Sequence, residues 1–169
     1  MNARAGIIFI LCILGCLLAQ CKRQVVPSSI FYLTWGPALV TNPWHADIVV
    51  DSSGNIFVTG EFSGSVDFEP GFGTSRASIN DSSTYNHYAY LSSFFGSGDF
   101  RWVRTWGGSG QCLTDARAIS VDLSGFVYVA GRFSHTVDFD PGPGVESRCA
   151  TGRWDSYLSK FDPTGSLMW

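Results

Sequence analysis

The residues best placed to do chemistry are two acidic pairs, Asp67/Glu69 and Asp138/Asp140, which recur 71 residues apart in the same setting, V-D-F-[DE]-P-G. Residues two apart on a strand point to one face. Each pair would therefore present two carboxylates to the same side, an oxygen-donor arrangement that suits Ca²⁺. The competing reading is structural. Pro70-Gly71 and Pro141-Gly142 follow directly, and acid-Pro-Gly is ordinary turn chemistry, with Pro fixing φ and Gly accepting a positive one. Calcium loops also draw on more oxygen donors than these pairs supply. The structural reading is favoured, so no cofactor is expected, with Ca²⁺ as the single candidate.

Other reactive side chains are scattered. His45, His87 and His135 occupy unrelated repeat positions. No G-x-S-x-G nucleophile elbow occurs. Gly107-Gly108-Ser109-Gly110 is glycine-rich but lacks the Lys and following helix of a phosphate loop. Arg101 and Arg104 flank Trp102 and Trp106, a pattern that can stack a sugar, although a strand face covered by Arg stems is favoured. Cys112 and Cys149 are the candidate disulfide, which an oxidising compartment would preserve. Their alternative is two unpaired thiols packing as small apolar groups, and their wide spacing is no zinc pattern. No catalytic residue emerges, and an enzyme is not expected.

These residues need elements to hold them. The chain has 169 residues, 45% hydrophobic, 15% aromatic and only 15% charged, the composition of a globular, β-leaning chain. The formal charge is -3, with no basic run beyond Lys22 and Arg23. Nucleic acid, bound through clustered Lys and Arg, is therefore not an expected partner. Residues 51–73 and 122–144 match at 13 of 23 positions, the mark of a repeat protein. Alternation, an Asp-x-x-Gly turn at 51–54 and the Gly96-Ser97-Gly98-Asp99 turn predict strands over 47–50, 55–62, 88–95 and 100–106 in the first copy. The second copy predicts 118–121, 126–133, 156–161 and 166–169. Between its two hairpins the second copy is four residues shorter, the offset falling from 71 to 67, which marks a surface loop. Residues 30–36 align with 101–107 and are expected to form a stray N-terminal strand. The fold expected is all-β, an incomplete β-propeller of two four-stranded antiparallel blades plus that strand.

The motifs D-x-S-G-x-[IV]-[FY]-V-x-G-x-F, V-D-F-[DE]-P-G, Y-L-S-K-F-D-P-T-G and W-V-R-T-W-G-G resemble the bacterial seven-bladed β-propeller repeat family over residues 30–169. The resemblance implies a propeller fold and extracytoplasmic repeats, and carries no defined activity. Two blades are fewer than the 4–8 that close a propeller. The chain is expected to be part of a longer propeller, or else to complete itself with other copies.

Residues 5–19 are almost unbroken in apolarity after Arg4, the length of a signal h-region rather than a span. With Cys16 and Cys21 nearby, the segment resembles a bacterial lipoprotein signal, which implies a diacylglyceryl cysteine as the mature first residue. Cys21 is favoured because a polar tether, 21–29, follows it. Cys16 has the small preceding Gly15 but would leave Leu17-Leu18-Ala19 on the mature chain. A plain secretory signal and an uncleaved anchor remain open.

The organisation expected is a signal over 1–20, the tether, a stray strand and first blade over 30–106, and a second blade over 107–169. The function expected is an exported, lipid-anchored protein of the bacterial cell envelope, at the outer membrane or cell surface. It would act as a non-enzymatic binding or scaffold module for an unidentified protein or glycan, with self-association through exposed blade faces. The alternative is a polysaccharide hydrolase or lyase of propeller fold.

Overall fold

Three aspartates reverse the chain in the same way. Asp51 Oδ1 accepts the N–H groups of Ser53 and Asn55, both at 2.8 Å. Asp122 Oδ1 accepts those of Ser124 and Phe126, and Asp162 Oδ1 those of Thr164 and Ser166. In each turn a glycine takes the left-handed conformation, Gly54 at φ 84, Gly125 at φ 82 and Gly165 at φ 83, which only glycine adopts without a Cβ penalty. The strands between these turns are rich in Val, Phe and Tyr, as pleated surfaces favour.

The computed structural model describes residues 46–69, 74–78, 86–109 and 111–169. The expected signal, tether and 30–36 strand lie outside these residues, with Cys16, Cys21, His45, Pro70 and Gly71. The described chain is all-β, with no helix and several antiparallel sheets, none closed on itself.

In the first repeat, β1 (Asp47–Val50), β2 (Ile56–Phe62), β5 (Tyr88–Phe94) and β6 (Phe100–Trp106) form a four-stranded sheet in the order β1-β2-β5-β6. These are the four strands expected, within a residue at their ends. The second repeat departs from expectation. Its sheet has three strands, β7 (Thr114–Val121), β8 (Val127–Phe133) and β11 (Asp155–Phe161), in the order β11-β8-β7. The strand expected over 166–169 is reduced to a bridge between Phe161 and Leu167. Three backbone bonds hold the segment there, Asp162 N–H to Ser166 O at 2.9 Å, and Met168 N–H to Lys160 O and Lys160 N–H to Trp169 O, each 2.8 Å. Strand β7 begins four residues earlier than expected, because a register shift between Ala116 and Ala118 lets Thr114 to Ala116 continue the ladder with β8.

Two short hairpins were not anticipated. β3 (Ser65–Asp67) pairs with β4 (Arg76–Ser78), and β9 (Thr136–Asp138) pairs with β10 (Ser147–Cys149). Each interrupts its repeat between the second and third long strands.

The two large sheets pack face to face. Directly paired residues share a face, so Phe57, Leu91, Ala89 and Trp106 lie on one side of the first sheet. That side is buried against Ala116, Val127, Val129 and Phe161 of the second sheet and Val137 and Phe139 of the β9–β10 hairpin. Trp106 and Phe161 have ring centroids 5.3 Å apart. A fully buried Phe or Leu contributes about 1.5–3 kcal/mol each, so this shared core joins the repeats. Polar contacts reinforce it. Asp47 Oδ2 accepts Ile119 N–H at 3.0 Å, and Arg104 donates to the carbonyls of Gly165 and Thr164 at 3.0 and 2.8 Å.

Candidate functional site

The repeat register identifies the surface on the second sheet that corresponds to the sealed side of the first. Phe57, Leu91 and Trp102 align with Tyr128, Leu158 and Trp169. Leu91 is 0% exposed, whereas Leu158 is 55% and Trp169 56% exposed. Along this open face, Lys160 Nζ lies 4.3 Å from the Phe126 ring and 5.1 Å from the Tyr128 ring. Tyr128 packs edge-on against Trp169. At the other end the Arg132 guanidinium stacks 4.0 Å over Trp154.

A charged clamp anchors that end. Asp115, 2% exposed, receives Arg117 Nη2 at 2.8 Å and Arg132 Nε at 2.9 Å on Oδ2. Arg132 N–H adds a bond to Oδ1 at 3.2 Å. Burial pushes the carboxyl pKa up, but the hydrogen bonds and charges of the two guanidiniums outweigh it, and the group lies below the usual carboxylate range. Arg117 sits at the register shift of β7, and the carboxylate of Glu61, across the repeat junction, raises its pKa further. Glu61 Oε2 itself lies 3.1 Å from His87 Nδ1.

The acidic pairs have structural work. Asp67 Oδ1 accepts the N–H groups of Glu69 and Ser75, and Asp138 Oδ1 accepts those of Asp140 and Glu146. The long bond in each case spans eight residues, closing the loop of the short hairpin. Asp140 turns to its own loop, accepting Gly142 N–H at 2.7 Å. Among the described residues, no three His, Cys, Asp or Glu side chains gather as a metal would require.

The candidate disulfide is not formed. Cys112 is buried, with its thiol donating to Ser134 O at 3.1 Å, and Cys149 is exposed on β10. Burial raises the Cys112 pKa, so it is held as a packed, protonated thiol. The Arg101/Trp102/Arg104/Trp106 cluster is likewise structural. Trp106 lies in the shared core, Trp102 packs 6.0 Å from Phe57, and Arg104 clamps the turn at Gly165.

A cleft of about 450 Å³ opens where the end of β6 meets the β9–β10 hairpin. Its floor needs glycine. A Cβ on Gly108 would collide with Thr136 O, and one on Gly107 would fall 2.6 Å from the Tyr88 ring. Gly107 also bridges to Asp138, whose N–H donates to Gly107 O at 3.1 Å. The walls are Tyr88, Ser109, His135, Thr136, Asp138 and Ser147. His135 is held at φ 58, the only non-glycine among the described residues with positive φ, where the first repeat has Gly64 at φ 71. Such a conformation costs an L-residue roughly 1–2 kcal/mol.

Of the residues singled out from sequence, the structure brings Asp138, His135, Gly107, Gly108 and Ser109 to this cleft and leaves Asp67, Glu69 and Asp140 in loop closure. The Asp115 clamp and the cleft hydroxyls of Thr136 and Ser147 are not among the sequence candidates. Their signal lay in the differences between repeats: Glu61 becomes Arg132, and Gly64 becomes His135. Compared with protein-family models, curated proteins and solved structures, the chain matches none.

Proposed function

We propose that the chain is an exported, lipid-anchored binding or scaffold module of the bacterial cell envelope, built from two blades of an incomplete β-propeller. The observation that carries the module reading is the contrast between Leu91 and Leu158, one repeat position sealed at 0% and open at 55% exposure. A repeat that buries this face in one copy and presents it in the next has a surface made for a further sheet. Tyr128 and Leu158 would meet the small β-branched side of such a unit, as Phe57 and Leu91 meet Val127 and Val129. The engagement of Asp51, Asp122 and Asp162 in turns, and of Asp115 with two arginines, supports a non-enzymatic role. The propeller motifs and the N-terminal apolar run support the architecture and the address.

Sedimentation of the mature protein over a range of concentrations tests the docking face. Association that Leu158→Asp abolishes without loss of fold is expected. A monomer at every concentration would overturn self-association through this face. Metabolic labelling with a tritiated fatty acid tests the address: incorporation is expected, lost in Cys21→Ser and retained in Cys16→Ser. No label in the parent chain would remove the lipid anchor.

A further inference from the structure

We propose that the cleft between the end of β6 and the β9–β10 hairpin is a binding site for a neutral sugar residue. This names a ligand class for the binding-module reading and rests on that half of it, independently of export or docking.

The chemistry of the walls selects the ligand by elimination. None of the cleft-lining residues is Lys or Arg, and one is a carboxylate, so an anion would be repelled. A divalent cation would find only one carboxylate, with one oxygen already holding two backbone N–H groups, whereas Ca²⁺ takes six to eight oxygens. An apolar molecule would strand the hydroxyls of Ser109, Thr136 and Ser147 against it. None of these three is committed to a hydrogen bond with another described side chain. What remains is a ligand with several hydroxyls and no charge. The volume, about 450 Å³, is within the range of small-ligand clefts.

The polar groups are complementary to such a ligand. Asp138 Oδ1 is spent on Asp140 and Glu146, which fixes the carboxylate and leaves Oδ2 to accept a sugar hydroxyl. Ser134 Oγ accepts Leu113 N–H at 3.0 Å and lies 3.2 Å from His135 Nδ1. With either tautomer one ring nitrogen is held by Ser134, and Nε2 is left to donate to or accept from a sugar hydroxyl. Tyr88 supplies a ring, packed on Gly107, of the kind that lines sites for amphipathic ligands. The left-handed His135 gives the assignment its sharpest handle. The turn itself is better served by glycine, as at Gly64, so the imidazole is retained there against the backbone's preference.

Saturation-transfer NMR on the purified protein, with the methyl glycosides of glucose, galactose, mannose and N-acetylglucosamine at millimolar concentration, tests the site. Transfer to at least one of the four is expected. His135→Gly is expected to weaken it about five- to tenfold while leaving the melting temperature unchanged or higher. Asp138→Asn keeps an oxygen for the two backbone N–H groups and loses the free carboxylate oxygen, and the same weakening is expected. No transfer from any of the four, or transfer undiminished in both variants, would overturn the site. Leu158→Asp is expected to bind as the parent does, so failure of docking and failure of sugar binding are separable.

Discussion

The two repeats carry nearly the same strands and meet opposite fates. In the first, every residue of β2 is buried, so both faces of the strand are covered. In the second, β8 mixes buried with half-buried positions and β11 exposes Ser156 and Leu158, as strands with one less covered face do. Equivalent side chains thus do different work: Phe57 and Leu91 hold the repeats together, while Tyr128 and Leu158 wait at a surface. The substitutions follow suit. Glu61, under the sealed face, becomes Arg132 on the open one, with Trp154 and Asp115 to hold its charge. Identity in a repeat fixes the local fold, and position in the stack decides what each residue contributes.

Leu91→Ala and Leu158→Ala break the comparison most directly. Truncating the buried leucine is expected to cost about 2–5 kcal/mol, through lost transfer energy and the cavity left behind. The same change at Leu158 is expected to stay within about 0.5 kcal/mol. Urea denaturation of both variants, at concentrations where the protein is monomeric, reads the difference, and equal losses would mean that the outer face of the second sheet is covered within the monomer itself.

Asp115→Ala is expected to come next, at about 2–3 kcal/mol by the same measurement. That is less than a fully buried pair, because both arginines are 38% exposed and screened by water. The sign with pH follows from the lowered pKa. Folding holds the Asp115 carboxyl below its unfolded value near 3.9, so its contribution is complete above that value. It is lost as pH falls through the lower folded one. Melting temperature should therefore drop below about pH 4 in the parent, and more shallowly in Asp115→Asn.

The hairpin aspartates should behave as a matched pair. Asp67→Ala and Asp138→Ala each remove two backbone hydrogen bonds at the same repeat position. Each is expected to cost about 1–2 kcal/mol. With the loops closed by protein groups, adding calcium or chelating it is expected to leave the melting temperature where it was. A rise with calcium that Asp138→Ala removes would return these carboxylates to metal binding.

How far the sequence could be read tracks how local each determinant is. The Asp-x-x-Gly turns at Asp51 and Asp122 set the hairpins by short-range bonds, so the long strands were legible from spacing alone. Three-residue strands such as β3 and β9 are too short for alternation to register. Their defining bond, Asp67 to Ser75 or Asp138 to Glu146, spans eight residues and reads in sequence as part of an acid-Pro-Gly turn. The Asp115 clamp depends on a register shift at Arg117 and a partner 17 residues away on β8, and the cleft on a contact between Gly107 and Asp138. Neither is visible until the sheets are stacked.

The finest form of the comparison is a swap at one turn. Gly64 and His135 occupy the same repeat position, both in the left-handed region. The backbone there has no use for a Cβ, and the space around Gly64 is open, so that a Cβ added to it would meet nothing within 4 Å. Sterics with neighbours therefore drop out at Gly64, and the backbone preference is set only against the contact of His135 Nδ1 with Ser134 Oγ. His135→Gly is expected to gain up to about 1 kcal/mol, and Gly64→His to lose about as much. The double variant should lie near the parent, since the two turns are in separate hairpins and share no partner. Calorimetric melting of the three variants decides it. A loss of stability in His135→Gly would mean that the imidazole supports the hairpin itself, and the strain at this turn would no longer speak for a ligand.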